Sequence, residues 1–116
     1  MTYDLVAIGN PVYDYISTPS TNGDQPILSG CSTNVCFAAK RLGVANIALV
    51  GNIGADFSEN FHTIMRRHGI TVINTGTNGR TTGFMIRNYE SGERLLRLIS
   101  DAGKIPVTRV WPQCQD

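Results

Sequence analysis

Ser29-Gly30-Cys31-Ser32-Thr33-Asn34-Val35-Cys36-Phe37-Ala38-Ala39-Lys40-Arg41-Leu42-Gly43, followed by Ile47-Ala48-Leu49-Val50-Gly51-Asn52-Ile53-Gly54-Ala55-Asp56, is the stretch from which the architecture can be read. Small residues open it, and Ser32 or Thr33 is a fair N-cap for a helix. Val35, Ala38, Ala39 and Leu42 then recur at i, i+3, i+4 and i+7, predicting one apolar stripe on one helix face. Lys40 and Arg41 fall in the last turn, and Gly43 takes the position after the helix end. The apolar run 47–51 reads as a buried strand, and the glycine loop after it ends in Asp56. With Glu59, Asp56 makes a D-x-x-E pattern, which predicts a capping box for a second helix.

Working outward, residues 4–9 predict a buried parallel strand, ended by Gly9-Asn10-Pro11. Val12 to Ser17 alternates apolar and polar residues like an exposed strand, and Thr18 to Gln25 is rich in turn residues. The second helix carries Phe57, Phe61, Ile64, Met65 and His68 along one side and closes at Gly69. Its cations Arg66, Arg67 and His68 complement the negative end of the helix dipole. Ile70 to Ile73 is a third strand. Strand, helix, strand, helix, strand is the grammar of an α/β layer with parallel strands. Thr81 to Asn88 and Arg94 to Ser100, joined across residues 89–93, predict an antiparallel hairpin. Beyond Asp101 the pattern fades; Pro106 and Pro112 discourage long elements, and Trp111 wants a core or a partner to cover it.

The bulk properties narrow the function classes. A chain of 116 residues is one domain or part of one, and 41% hydrophobic with 16% charged residues is ordinary globular composition. A net charge of +1 supplies no electrostatic footprint for nucleic acid or an anionic membrane. No apolar run approaches the ~18 residues that span a bilayer, and no charged, apolar leader opens the chain. Cys31, Cys36 and Cys114 form an odd set without C-x-x-C spacing and are read as free thiols of a reducing cytosol. His62 and His68 lack the i, i+4 spacing of a helical metal pair, so no metal ligands are assigned.

The order of these features resembles the amino-terminal signature of the ribokinase-like (PfkB-type) carbohydrate kinases, across roughly residues 3–103. Gly30, Asn34 and Gly43 fit the family pattern. Cys31 replaces its second glycine, Cys36 stands where a small hydroxyl residue or alanine is usual, and the Gly43–Gly54 interval is one residue longer. Gly9-Asn10-Pro11-Val12-Tyr13-Asp14 is similar to the family's first strand and its aspartate. Thr82-Gly83-Phe84 with Ser91-Gly92-Glu93-Arg94 is similar to its middle hairpin. The resemblance implies an α/β fold: an incomplete, Rossmann-like parallel core with a small antiparallel β lid, whose strands lie near 12–17 and 81–100. It also implies that residues 1–116 are the amino-terminal part of such a kinase domain, with the carboxyl-terminal ATP-binding half absent.

A polyol is held by fixed donors and acceptors, because each hydroxyl both gives and takes hydrogen bonds. An ionised Asp14 can accept from two neighbouring hydroxyls, in the stronger charge-assisted class. Asn34 presents an acceptor and two donors, and Gly30 lets backbone approach a ligand closely. The resemblance places Asp14, Gly30 and Asn34 in the sugar pocket. The competing readings are a solvated turn residue for Asp14, a helix-start residue bonding its own backbone for Asn34, and turn chemistry for Gly30. Asp56 is read as a cap. Arg87, Arg94 and Arg97 either reach a phosphorylated sugar or line a solvated strand face.

No G-x-x-x-x-G-K-[ST] or G-x-G-x-x-G loop is present, and no residue is assigned as catalytic base. In the full-length family ATP and Mg2+ serve as phosphoryl donor and metal, and neither is expected to bind this chain tightly. The implied function is the sugar-binding and lid portion of an ATP-dependent carbohydrate or nucleoside kinase, inactive on its own and cytoplasmic. The alternatives are a non-catalytic sugar-binding or dimerisation module and a remnant that folds poorly. The implied partners are a small sugar or nucleoside and a second copy meeting through the lid, because Leu95-Leu96-Arg97-Leu98-Ile99 points apolar residues to both faces.

Overall fold

A computed structural model describes residues 2–76, 79–106 and 108. Its elements run β1 (Leu5–Ile8), β2 (Val12–Ser17), β3 (Ile27–Ser29), α1 (Cys31–Arg41), β4 (Ile47–Gly51), α2 (Ser58–Arg67), β5 (Ile70–Asn74), β6 (Thr82–Asn88) and β7 (Arg94–Ser100). The strands form two sheets, β1-β4-β5 and β3-β2-β6-β7. The first is wholly parallel, as the alternation of strands and helices predicts. Its middle strand, β4, is buried along its whole length, which is why residues 47–51 show no polar alternation.

The second sheet contains the expected antiparallel pair, β6 with β7. It is larger than a hairpin. β2 runs parallel to β6 and antiparallel to β3, a short strand that the turn-rich reading of the preceding loop did not anticipate. β2 is therefore an inner strand with Tyr13 and Asp14 buried, not the exposed strand its alternation suggested. Period-two patterning shows that two faces differ; it does not show which of them other elements cover.

The core lies between the parallel sheet and its helices, and includes Ala7, Cys36, Ile47, Leu49, Phe61, Met65 and Ile70. α2 points Phe61 and Met65 inward, as its spacing predicts. α1 is turned the other way. Its buried residues are Ser32, Thr33 and Cys36, while Val35 is 48% and Leu42 86% exposed. The helix has two apolar faces, and the sheet takes the one with Cys36, Phe37 and Ala39. Ser32 selects it: its hydroxyl donates to the Gly9 carbonyl at 2.9 Å, and Gly9 has no Cβ to obstruct it.

The caps differ in a similar way. α1 starts from Gly30 and α2 from Phe57, neither with a side-chain cap. Past the end of α1, the Val44 N–H donates to Ala39 O and the Gly43 N–H to Lys40 O, with Gly43 at φ 93°, a Schellman ending. Cys31 (exposed) and Cys36 (buried) are free thiols; Cys114, Trp111 and Pro112 lie outside the described residues. Among the described residues, no helix is long and apolar enough to cross a membrane.

Candidate functional site

The segments that join the two sheets gather at the carboxyl ends of β1, β4 and β5, the edge of a parallel sheet where ligands characteristically bind. Asp14 sits on β2 opposite Ile27 of β3 and Phe84 of β6. It is 9% exposed, and no donor among the described residues bonds its carboxylate. Because paired residues share a sheet face, Asp14 is the one carboxylate on a face that also carries Ile27, Phe84 and Leu98. The solvated-turn reading of Asp14 is thereby set aside.

Gly30 closes against the same strand. It adopts φ 102°, and a Cβ there would stand 3.2 Å from the Val12 nitrogen and 3.3 Å from the Asn10 oxygen. Both conformation and space therefore favour glycine where the chain leaves β3 for α1. Asn34 lies one helical turn further on, with its N–H donating to the Gly30 carbonyl at 3.0 Å. Its residue is exposed, and its side chain makes no capping bond. Gly30 is thus brought against the strand that carries Asp14, and Asn34 stands free on the first turn of the helix that Gly30 begins. One residue before Asn34, the Thr33 hydroxyl is buried without a partner among the described residues.

Asp56 does not cap its helix across a box. Its Oδ1 accepts the neighbouring Phe57 N–H at 3.0 Å. Its main partner is Thr81, which donates its hydroxyl at 2.7 Å and its N–H at 3.0 Å to that oxygen. The Thr81 oxygen also accepts the Gly54 N–H at 2.9 Å, and the Thr81 carbonyl accepts the Ser100 hydroxyl at 2.6 Å. The carboxylate thus ties the start of α2 to the start of β6. Distance along the chain hid this, whereas a D-x-x-E spacing is visible locally.

Tyr13 makes a second tie. Its ring stacks on Phe57 at 3.9 Å between centroids, and its hydroxyl donates to Asn60 Oδ1 at 2.6 Å. Burial, and then the Asp56 carboxylate, push the phenol up to about 12 from its ordinary 10.0. The folded state favours the neutral phenol, so its contribution is whole below pH 10 and is lost as pH rises toward 12. At about 1.4 kcal/mol per unit, urea melts between pH 9 and pH 11.5 should lose about 2 kcal/mol through this group. Tyr13→Phe should remove that part of the alkaline loss, and an unaltered profile would contradict the assignment.

Three asparagines, none singled out by the sequence reading, bind the loops together. The Asn52 backbone N–H donates to Asn10 Oδ1 at 2.8 Å, and Asn10 Nδ2 donates to the Gly103 carbonyl at 2.7 Å. Asn52 Nδ2 meets the carbonyls of Ala102, Gly103 and Lys104 at 3.0–3.2 Å, and its Oδ1 accepts the Thr75 hydroxyl at 2.7 Å. Asn74 Oδ1 accepts the N–H groups of Ile53 and Gly76. The available signal was the repeated Gly-Asn at the ends of β1 and β4, Gly9-Asn10 and Gly51-Asn52.

The hollow on α2 and the described metal-ligating side chains do not fit a nucleoside triphosphate and its metal. Among the described residues, no three His, Cys, Asp or Glu side chains converge. A hollow of about 450 Å³ on α2 is lined by Ala55, Asp56, Glu59, Asn60 and Thr63, acidic where a triphosphate needs cations. Arg87 lies 5.2 Å from the Tyr89 ring centroid, and Arg87, Arg94 and Arg97 are on exposed strand positions.

No family model matches the sequence, and no curated protein matches it. The fold does have solved counterparts. Ribokinase from Giardia lamblia is similar with a TM-score of 0.78 at 22% identity, over 97% of this chain and 40% of that one. A pyrophosphate-dependent kinase in the ribokinase family gives 0.78 at 18% identity, over 92% and 37%. The Burkholderia thailandensis nucleoside kinase, solved in complex with inosine, gives 0.64 at 18% identity, over 84% and 37%. The chain therefore carries part of a ribokinase-like fold and spans about two fifths of the length of these structures. That share agrees with the amino-terminal portion indicated by the motifs.

Proposed function

We propose that this chain is the sugar-binding and lid portion of a ribokinase-like carbohydrate or nucleoside kinase. The observation that carries the reading is Asp14: a buried carboxylate without a described donor, on an inner strand against which Gly30 packs. A carboxylate on a largely covered residue with no described donor has room for two, and a pair of vicinal hydroxyls supplies them. Asn34, exposed on the first turn of α1, offers both polarities of hydrogen bond to the same polyol. The second sheet serves as the lid, with Asp14 on its face.

These residues bind and orient; they transfer nothing. Phosphoryl transfer requires charge stabilisation at the γ-phosphate and a base at the attacking hydroxyl. The chain offers no phosphate loop for this, so ATP and Mg2+ belong to the remainder of a kinase of this fold. Cytoplasmic location belongs to the same proposal.

Calorimetry with ribose, fructose and inosine tests the reading. Binding of one of them should weaken about 100-fold in Asp14→Ala, about 2.7 kcal/mol, a charge-assisted pair of bonds. Asn34→Ala should cost about 10-fold. Failure of all three ligands to bind, or indifference of the tightest to Asp14→Ala, would remove the proposal.

A second reading, a non-catalytic module that pairs with its own copy, is favoured by β7. This edge strand leaves Leu95, Leu96, Leu98 and Ile99 44–59% exposed, on both of its faces. Light scattering distinguishes a dimer from a monomer, and the calorimetry separates pairing with sugar binding from pairing alone.

A further inference from the structure

We infer that Asn52 is a positioning residue: it holds the second sheet at a fixed angle on the parallel sheet, and so sets where Asp14 stands. The chain passes between the sheets at residues 9–11, at 30, between Thr75 and Thr81, and again after Ser100. Asn52, 4% exposed at the end of the middle strand β4, reaches three of these passages at once. Its N–H bonds Asn10 in the first, its Oδ1 bonds Thr75 in the third, and its Nδ2 bonds the carbonyls of 102–104 in the fourth.

The chemistry requires an amide. Three carbonyls can be met only by a donor, and the Thr75 hydroxyl is met here as a donor by the oxygen, so one planar group must present both polarities. Space is matched to it as well: a Cβ on Gly76 would lie 2.6 Å from Asn52 Cβ, so glycine there lets the loop close over the side chain. Other ties between the sheets include the Tyr13–Phe57 stack with its Asn60 bond and the Thr81–Asp56 pair. They sit at the first and third passages, and among the described residues Asn52 and Asn10 bond the fourth to the parallel layer. The segment after β7 sits above β4 because these side chains hold it, and it carries the β6–β7 hairpin with it. Ala102 in turn donates its N–H to the Thr82 hydroxyl at 3.0 Å, linking the held segment directly to β6.

The consequence for Asp14 rests on the sugar-site reading, whereas the mechanical claim does not. Hydrogen exchange by mass spectrometry decides the latter without any ligand. In Asn52→Ala, amides of Gly83–Asn88 and Ala102 should exchange at least 10-fold faster, while those of β4 and β5 stay within about 2-fold. Asn74→Ala is the control, because its bonds reach Ile53 and Gly76 at the start of the third passage but not the fourth, and it should leave 83–88 unchanged. Asn10→Ala, a milder variant that removes two of the bonds, should quicken the same amides by a smaller factor. It stands in should Asn52→Ala not fold. Equal acceleration of both sheets, or unaltered exchange over 83–88, would overturn the inference. If a sugar binds the parent protein, Asn52→Ala should weaken it about 10-fold; absence of sugar binding would leave the exchange result standing.

Discussion

An alanine at position 54 is expected to cost at least about 3 kcal/mol and to leave little folded protein at 37 °C. A Cβ on Gly54 would fall 2.6 Å from both the Cα and the nitrogen of Arg80, and nearer still to its carbonyl carbon. These are backbone atoms, so no rotamer change relieves the clash. Retreat of Arg80 would also draw Thr81 away, and the Thr81 hydroxyl both accepts the Gly54 N–H and donates to Asp56. Overpacking alone costs about 1–3 kcal/mol, and an orphaned buried hydrogen bond adds about 1–3 kcal/mol. Gly54 is not in the left-handed region, so the effect is steric and serine should fare no better than alanine. Thermal melts of the purified variants check this. A Gly54→Ala protein melting within a few degrees of the parent would show that the chain at 79–81 yields freely, contrary to the bonds drawn there.

Phe61→Ala is expected to cost about 3–5 kcal/mol, the range for removing a fully enclosed aromatic side chain. Phe61 is 0% exposed and packs in the cluster with Cys36, Met65 and Ile70, so the void it leaves has rigid walls. Leu42→Ser is the informative contrast. Sequence periodicity makes Leu42 a core residue, yet it is 86% exposed, and its loss should stay within about 0.5 kcal/mol. Urea melts with unchanged slopes would yield both numbers. A Leu42→Ser cost comparable to that of Phe61→Ala would mean that α1 turns its Val35–Leu42 face inward.

Local elements were legible because local rules govern them. β4 announced itself as five apolar residues flanked by turn signals, and it occupies 47–51 as read. α2 was readable because its charged and apolar residues separate cleanly, leaving a single candidate inward face. α1 was not, since Cys31, Val35, Ala38 and Leu42 on one side rival Cys36, Phe37 and Ala39 on the other. β3 escaped notice because three residues after a turn-rich loop carry too little period to count. Of the candidate site, the residue types were recognisable, and the burial of Asp14 and the exposure of Asn34 were not. Burial is a property of what arrives from elsewhere in the chain.

Order, composition and short-range spacing were enough to establish the alternating strands and helices of the parallel layer, and the motifs carried its resemblance to the ribokinase-like fold. Which face of α1 meets the sheet, which partner Asp56 takes, and how Asn52 gathers three passages of chain emerged only in three dimensions. Hydrogen bonds between residues 23 to 93 positions apart decide those matters, and such partners leave no periodic mark in the sequence.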